Sequence, residues 1–366
     1  MKYKYEEVIE KIINWAISEK YKPYEKLPTE SELMSIFNVS RHTVRKAISD
    51  LEIQQYVYRI QGSGTYLSDW KQSDLYLKKN KNVGVLTTHI SNYIFPDIIK
   101  GIESTLYEQS YSLLMSSTSN NLMLENSNLR NLIAHKIDGL ILEPTKSAYQ
   151  IHNLEYLNNI LSKNIPIIMI NATYTAIRTP SLCVDDFTGG KIATEYLISL
   201  GHKNIMGIFK VDDSQGIHRM NGFITECQKN ENSHSKNEVL TYLSDEVETI
   251  LPQRIEGVLK SEKRPTGIFC YNDEIAYMVL NIAHRLKLRI PEDLSIIGFD
   301  DSSLSTIMEP KLTSITHPKE KMGIDAAKLI IKLINNGNQF EENDSILYEP
   351  KLIVRCSTSQ FKITKE

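Results

Sequence analysis

Residues 29–66, TESELMSIFNVSRHTVRKAISDLEIQQYVYRIQGSGTY, constrain the fold more than any other stretch, because two short helices, a tight turn and a hairpin read in that order. Thr29 precedes Glu30, Ser31 and Glu32, so the first helix opens on a capping box: a threonine N-cap and a glutamate three residues on. Asn38-Val39 turns the chain. Ser40 then caps a second helix whose Val44, Ala47, Ile48 and Leu51 recur on one face, leaving Arg41, His42, Arg45, Lys46 and Ser49 outside. Tyr56 to Ile60 and Thr65 to Ser68 read as strands joined by Gln61-Gly62-Ser63-Gly64. The whole is an α+β winged helix-turn-helix. A short helix with arginines in its first turns fits a DNA major groove, where a guanidinium fork pairs with the O6 and N7 acceptors of guanine. Candidate DNA contacts are Glu30, Arg41, His42, Thr43, Arg45 and Lys46 on the helices, Arg59, Gln61, Gly62 and Ser63 on the wing, and Lys4 and Tyr5 on an N-terminal arm.

This segment resembles the DNA-binding domain of the GntR family. Leu27, Pro28, Thr29, Glu30, Glu32, Leu33, Phe37, Val39, Ser40, Arg41, Thr43, Val44, Arg45, Ala47 and Leu51 fit the family pattern, as do Arg59, Gly62, Gly64 and Thr65 in the wing. It departs at Gln54-Gln55-Tyr56, where the family has a glutamate-glycine-leucine turn.

At 366 residues the chain has room for two or three cores. A net charge of −3 does not by itself suggest nucleic acid, so the basic character is local, gathered at Arg41, Arg45, Lys46 and Arg59. The N-terminus carries no signal-peptide pattern and no apolar run reaches membrane-spanning length, which points to the cytoplasm. Cys183, Cys227, Cys270 and Cys356 lie far apart without a CxxC and read as reduced thiols. The reader domain is expected over 1–69 and a polar, basic linker over 70–81.

Beyond the linker, short apolar runs alternate with helical segments: Val83 to Thr87, Ser112 to Ser116, Gly139 to Leu142, Pro166 to Ile170, Leu182 to Val184, Ile205 to Phe209, Gly267 to Cys270 and Ser295 to Gly298. That grammar implies parallel sheets in an α/β architecture, and its length implies two of them. Ligands of open α/β sheets bind beyond the carboxyl ends of strands. Those positions are polar here: Thr88 and His89, Glu143, Asn171, Asp185, Asn272, Asp300 and His317, with Tyr93 and Phe95 as aromatic faces. Such a set suits a small polyhydroxylated ligand.

Residues 82–366 resemble the effector domain of the LacI family, a two-lobed, periplasmic-binding-protein-like (type I) α/β fold. The likeness rests on Asp138-Gly139-Leu140-Ile141, Val184-Asp185-Asp186, Leu200-Gly201-His202, Arg219-Met220-Asn221-Gly222-Phe223, Asn272-Asp273 and Gly298-Phe299-Asp300-Asp301. It implies sugar contacts from Arg219, Asn272 and Asp300 in one lobe and from Thr88, Glu143 and Asn171 in the other, with His317 on the hinge side. Lobe 1 is expected at about 82–180 and 312–337, lobe 2 at about 181–311 and 338–366, with the domain also mediating dimerisation. A GntR-type reader on a LacI-type sensor is the arrangement of the bacterial arabinose repressors, which the chain resembles along its length. The resemblance implies a homodimeric, operator-binding repressor released by L-arabinose.

The residues favour a neutral sugar over a phosphate ester. Glu143, Asp185 and Asp300 outnumber the one clear cation, Arg219, unless Lys146 or Arg178 turns into the cleft. Another pentose, a hexose or a sugar phosphate remains open, as does a transport protein, which would share the two-lobed region but carry a signal peptide in place of the reader. No HExxH, GxSxG or P-loop points to an enzyme, and no cofactor or metal is expected.

Overall fold

A computed structural model describes residues 4–18, 20–53, 56–69, 81–149, 151–230 and 236–361, and the chain divides into two compact units, 1–81 and 82–366. In the first, α1 (Lys4–Ile17), α2 (Glu30–Phe37) and α3 (Arg41–Ile53) precede the strands β1 (Val57–Ile60) and β2 (Gly64–Leu67). Val8, Ile12 and Ala16, one turn apart on α1, bury against Leu33, Val44, Ala47, Ile48 and Leu51, with Val57 and Leu67 closing the core. The capping box forms: the Thr29 amide donates to the Glu32 carboxylate at 2.7 Å, and the Thr29 hydroxyl accepts from the Glu32 amide at 3.4 Å. Asn38 then ends α2 in the left-handed region at φ +51°. The hairpin pairs Val57 with Leu67 and Ile60 with Gly64, and Gly62 at φ +76° supplies the backbone conformation its tip requires.

Two expectations change here. Lys4 and Tyr5 belong to the first turn of α1, not to an extended arm, because the 4-residue apolar period of α1 starts almost at the terminus. The strands begin at Val57 and end at Leu67, one residue inside the expected Tyr56 and Ser68. Gln54, Gln55 and the linker apart from Lys81 lie outside the described residues.

The second unit holds two six-stranded sheets. Its strands are β3 (Asn82–Thr87), β4 (Ser112–Ser117), β5 (Gly139–Leu142), β6 (Ile167–Ile170), β7 (Ser181–Val184), β8 (Asn204–Lys210), β9 (Lys236–Tyr242), β10 (Gly267–Cys270), β11 (Ser295–Asp300), β12 (Thr313–Thr316), β13 (Ile346–Tyr348) and β14 (Leu352–Ile353). The first sheet runs β13-β7-β6-β5-β3-β4 and is parallel throughout. The second runs β14-β12-β11-β10-β8-β9, with β14 antiparallel to β12. Helices α4 (Phe95–Glu108), α5 (Leu122–Ala134), α6 (Leu154–Ser162), α7 (Asp186–Ser199), α8 (Ser214–Lys229), α9 (Leu251–Lys260), α10 (Asp273–Arg285), α11 (Ser303–Ile307) and α12 (Lys319–Asn335) connect and cover them.

The lobe boundaries differ from those expected. Strand β7, placed by sequence in lobe 2, pairs with β6 in the first sheet, and β13 joins it there. Strand β12, placed in lobe 1, pairs with β11 in the second. The chain therefore crosses between lobes after Val184, after Thr316 and again between Tyr348 and Leu352. An apolar run of four residues reads alike in either sheet, and only the pairing decides. Between α7 and α8 a β-carbon on Gly222 would lie 2.2 Å from the Phe187 carbonyl. This close crossing seats α8, which carries Arg219, against the start of α7.

Candidate functional site

The first unit presents Arg41 and Arg45 one turn apart on the exposed face of α3. Both guanidinium groups donate from Nε to one carboxylate, Glu30 on α2, at 3.2 and 3.0 Å. Partial burial works to raise the Glu30 pKa, but the two arginines hold it below the ordinary range. One acid thus gathers the two candidate DNA-contacting arginines, a link invisible in sequence across 11 and 15 residues. Lys46 lies 3.8 Å over the Tyr5 ring, which explains why Tyr5 sits beside α3. The Thr43 amide donates to the Ser40 hydroxyl at 3.2 Å, and His42 is exposed next to it. Arg59 lies 3.5 Å from Glu52, and Gln61, Gly62 and Ser63 form the exposed tip of the wing.

In the second unit a cleft of about 550 Å³ opens between the two sheets at the carboxyl ends of their strands. Eight expected residues line it: Thr88, His89, Tyr93, Phe95, Glu143, Arg219, Asn272 and Asp300. Glu143, buried at the end of β5, accepts from the Thr88 amide and hydroxyl, both at 2.7 Å, and from Asn171 Nδ2 at 2.8 Å. Burial pushes its carboxyl up despite those donors. Arg219 is 1% exposed. Its Nε donates to Asp186 at 2.8 Å, Nη1 to the Tyr271 carbonyl at 2.7 Å and Nη2 to Asp300 at 3.2 Å, while its guanidinium carbon stacks 3.6 Å over Phe299. Tyr93 crosses from the first lobe to the second, with its hydroxyl 2.6 Å from Asp300 and accepting from the Asp273 amide at 3.2 Å. Asn272 caps α10 through the Ile275 amide.

Three expected residues stand elsewhere. Asp185 caps α7 through the Thr188 amide at 3.0 Å, and its neighbour Asp186 faces Arg219 instead. A strand end followed at once by a helix leaves one carboxylate for the cap and turns the next inward. Asn171 and His317 form a layer behind Glu143: His317 Nε2 meets Asn171 Oδ1 at 3.0 Å, and Asn171 passes the contact on to Glu143. Of the two cations that bear on charge balance, Lys146 turns into the cleft, whereas Arg178 is exposed outside its lining.

Sequence reading missed Lys210, Asp213 and Tyr271. Lys210 Nζ lies 3.0 Å from Asp213, which also accepts from the Tyr271 hydroxyl and the Gly216 amide, both at 2.7 Å. Burial alone would raise the Asp213 pKa, but Lys210 and the two donors hold it low. The signal was present, since Lys210-Val211-Asp212-Asp213 directly follows the apolar run Ile205 to Phe209. Glu143, Asp213, Asp245, Glu248, Glu274 and Asp300 face the cleft against Lys146, Lys210 and Arg219, so carboxylates outnumber cations two to one.

His317 supplies a pH test. Burial pushes its imidazole down to about 4, and its Nδ1 is buried without a hydrogen-bond partner. The ring is neutral in the fold but protonates near 6.5 in the unfolded chain, so the unfolded state binds more protons between those values. The His317 contribution to stability is therefore expected to fall as pH drops from about 6.5 to 4, by up to about 3 kcal/mol. Urea unfolding of wild type and His317→Gln across this range checks it: the stability difference between them must shrink toward pH 4.

Residues 4–67 match the family model for bacterial regulatory proteins of the gntR family, and residues 194–358 match the periplasmic binding protein-like domain. The chain is 42% identical over 359 residues to the arabinose metabolism transcriptional repressor of Geobacillus stearothermophilus, covering 98% of each chain. It is 43% identical to the protein of that name from Halalkalibacterium halodurans, covering 94% of this chain and 93% of the other. Among solved structures, a LacI family transcriptional regulator from Enterococcus faecalis with bound ribose superposes with a TM-score of 0.66 at 27% identity, over 77% of this chain and all of that one.

Proposed function

The chain belongs to the family of the arabinose metabolism transcriptional repressors, and from that premise we propose that its own effector is L-arabinose, held as a neutral sugar between the two lobes. It is a sugar-responsive, DNA-binding transcriptional repressor of carbohydrate-utilisation genes. The observation that carries the ligand assignment is the charge of the cleft. Six carboxylates against three cations, each cation lying within 4 Å of an acid, favour a neutral ligand over a phosphate dianion. The same groups match alternating hydroxyls well, with Glu143 and Asp213 accepting, Lys210 and Arg219 donating and Asn272 able to do both. Three of the five Arg219 N–H groups are committed to protein, which leaves one on each terminal nitrogen for a ligand hydroxyl.

The repressor works in the cytoplasm as a homodimer, each copy setting one recognition helix on one operator half-site. Sugar binding draws the lobes together and lowers operator affinity. Linkage demands the converse, so operator weakens sugar binding by the same factor, on the order of 1–3 kcal/mol.

Calorimetric titration with L-arabinose, D-xylose, D-ribose and sugar phosphates tests the ligand. Only L-arabinose is expected to bind tightly and release operator in a gel shift. Glu143→Gln should weaken it about 10–100-fold, the loss of a charged acceptor, with operator affinity unchanged. Tight binding of a phosphate ester with no response to L-arabinose overturns the assignment.

A further inference from the structure

We propose that Asn120 and Lys146 of the first lobe and Asp212 and Ser244 of the second form a clasp that holds the lobes shut and sets the sugar concentration at which the repressor responds. The inference deepens the reading of the cleft as the effector site and rests on it. The four side chains close a ring across the mouth. Asn120 Oδ1 accepts from the Lys146 amide at 3.2 Å, and Asn120 Nδ2 donates across the cleft to the Ser244 hydroxyl at 2.7 Å. That hydroxyl donates to Asp212 Oδ1 at 2.9 Å, and the Ser244 amide donates to Asp212 Oδ2 at 3.1 Å. Lys146 Nζ completes the ring at 3.6 Å from Asp212 Oδ2. Beside it, Ser147 Oγ accepts from the Ser214 amide at 2.9 Å and lies 3.0 Å from the Ser214 hydroxyl.

Both halves of the clasp are held stiffly from behind. Next to Lys146, the Thr145 amide donates to buried Glu125 at 2.9 Å, and Tyr174 donates to the Thr145 carbonyl at 3.1 Å. Next to Asp212, Asp213 is anchored by Gly216 and Tyr271. Asn120 and Lys146 both sit in the left-handed region, at φ +55° and +45°; asparagine adopts it readily, whereas for Lys146 it is uncommon. Asp212 is fully buried yet does not line the cleft. Opening the lobes strips it of Lys146 and exposes the Ser244 bond to water. Three contacts cross between the lobes, Asn120–Ser244, Lys146–Asp212 and Ser147–Ser214, and these depend on the closed arrangement, so they bias the open–closed equilibrium before any sugar is bound.

The experiment uses the full-length protein and needs no sugar for its first arm. The variant Ser147→Cys/Ser214→Cys, with exposed Cys356→Ser, places two sulfurs within bonding reach only when the lobes are closed. The rate of disulfide formation under a fixed oxidant then reports closure. Asn120→Ala or Ser244→Ala is expected to slow it about fivefold to tenfold, and the two together no more than either alone, because both remove the same bond across the cleft. Lys146→Met, which leaves buried Asp212 and the Ser244 contact in place, provides an independent break. Unchanged oxidation rates in all three single variants overturn the clasp, whatever the cleft binds. In the second arm, L-arabinose should dissociate faster from the same single variants in the native Ser147/Ser214 background, by a similar factor. Failure of wild type to bind L-arabinose at all overturns the sugar assignment alone, since the oxidation arm still decides the clasp.

Discussion

An Arg219→Ala protein is expected to lose its response to sugar and to lose about 3–5 kcal/mol of effector-domain stability, the penalty for leaving buried charges unpaired. Arg219 is the largest fully buried side chain among the described residues, and Asp186 and Asp300 share its charge at 2.8 and 3.2 Å. Without it, two carboxylates remain in the interior beside Phe299, and the Tyr271 carbonyl loses its donor. The residue is thus a keystone between α7, β10 and β11 as well as a wall of the cleft. Two measurements separate these roles. Urea unfolding reads stability, and a gel shift with and without L-arabinose reads release. Arg219→Lys keeps the charge without the planar fork and should recover part of the stability but little of the release. An alanine variant with an unchanged unfolding midpoint and ordinary release by sugar would remove Arg219 from the site.

The second large effect is on DNA. Arg41→Ala and Arg45→Ala should each cost roughly 1–3 kcal/mol of specific operator binding, and the double variant should fall to the level of non-specific DNA. Both arginines lean on Glu30, so their losses are coupled and the double effect is expected to differ from the sum of the singles. Sugar affinity of the protein without DNA should not move. Operator binding at wild-type strength in the double variant would strip α3 of its role as the recognition helix.

Much of the reader was legible because its determinants are local. A capping box, a left-handed asparagine and a glycine-tipped hairpin each depend on residues within a few positions of one another. The helix at Lys4–Ile17 escaped notice although Val8, Ile12 and Ala16 mark its buried face, and its presence turns Lys4 and Tyr5 from an arm into a helix start. In the effector domain, the strand-end rule located Thr88, Glu143, Asn272 and Asp300 because parallel strands all deliver their last residues to one side. The same rule applied after Phe209 would have found Lys210 and Asp213. Strand β9 was missed because its apolar stretch, Val239-Leu240, is short and follows a long polar run.

What the sequence determined by itself was the kind of molecule: a winged reader, two parallel α/β sheets and a polar cleft where their strands end. Those follow from periodicity, caps and turns, which act over one or two turns of chain. Tertiary structure alone decided which apolar run joins which sheet, so β7 and β13 fell to the first and β12 to the second. It also decided that Asp186 rather than Asp185 meets Arg219, that Glu30 gathers both arginines, and that Asn120 finds Ser244 across the cleft. Each of those choices depends on side-chain direction and on partners 11 to 124 residues away. No local pattern encodes such distances, and only the packed chain brings the groups within reach of a hydrogen bond.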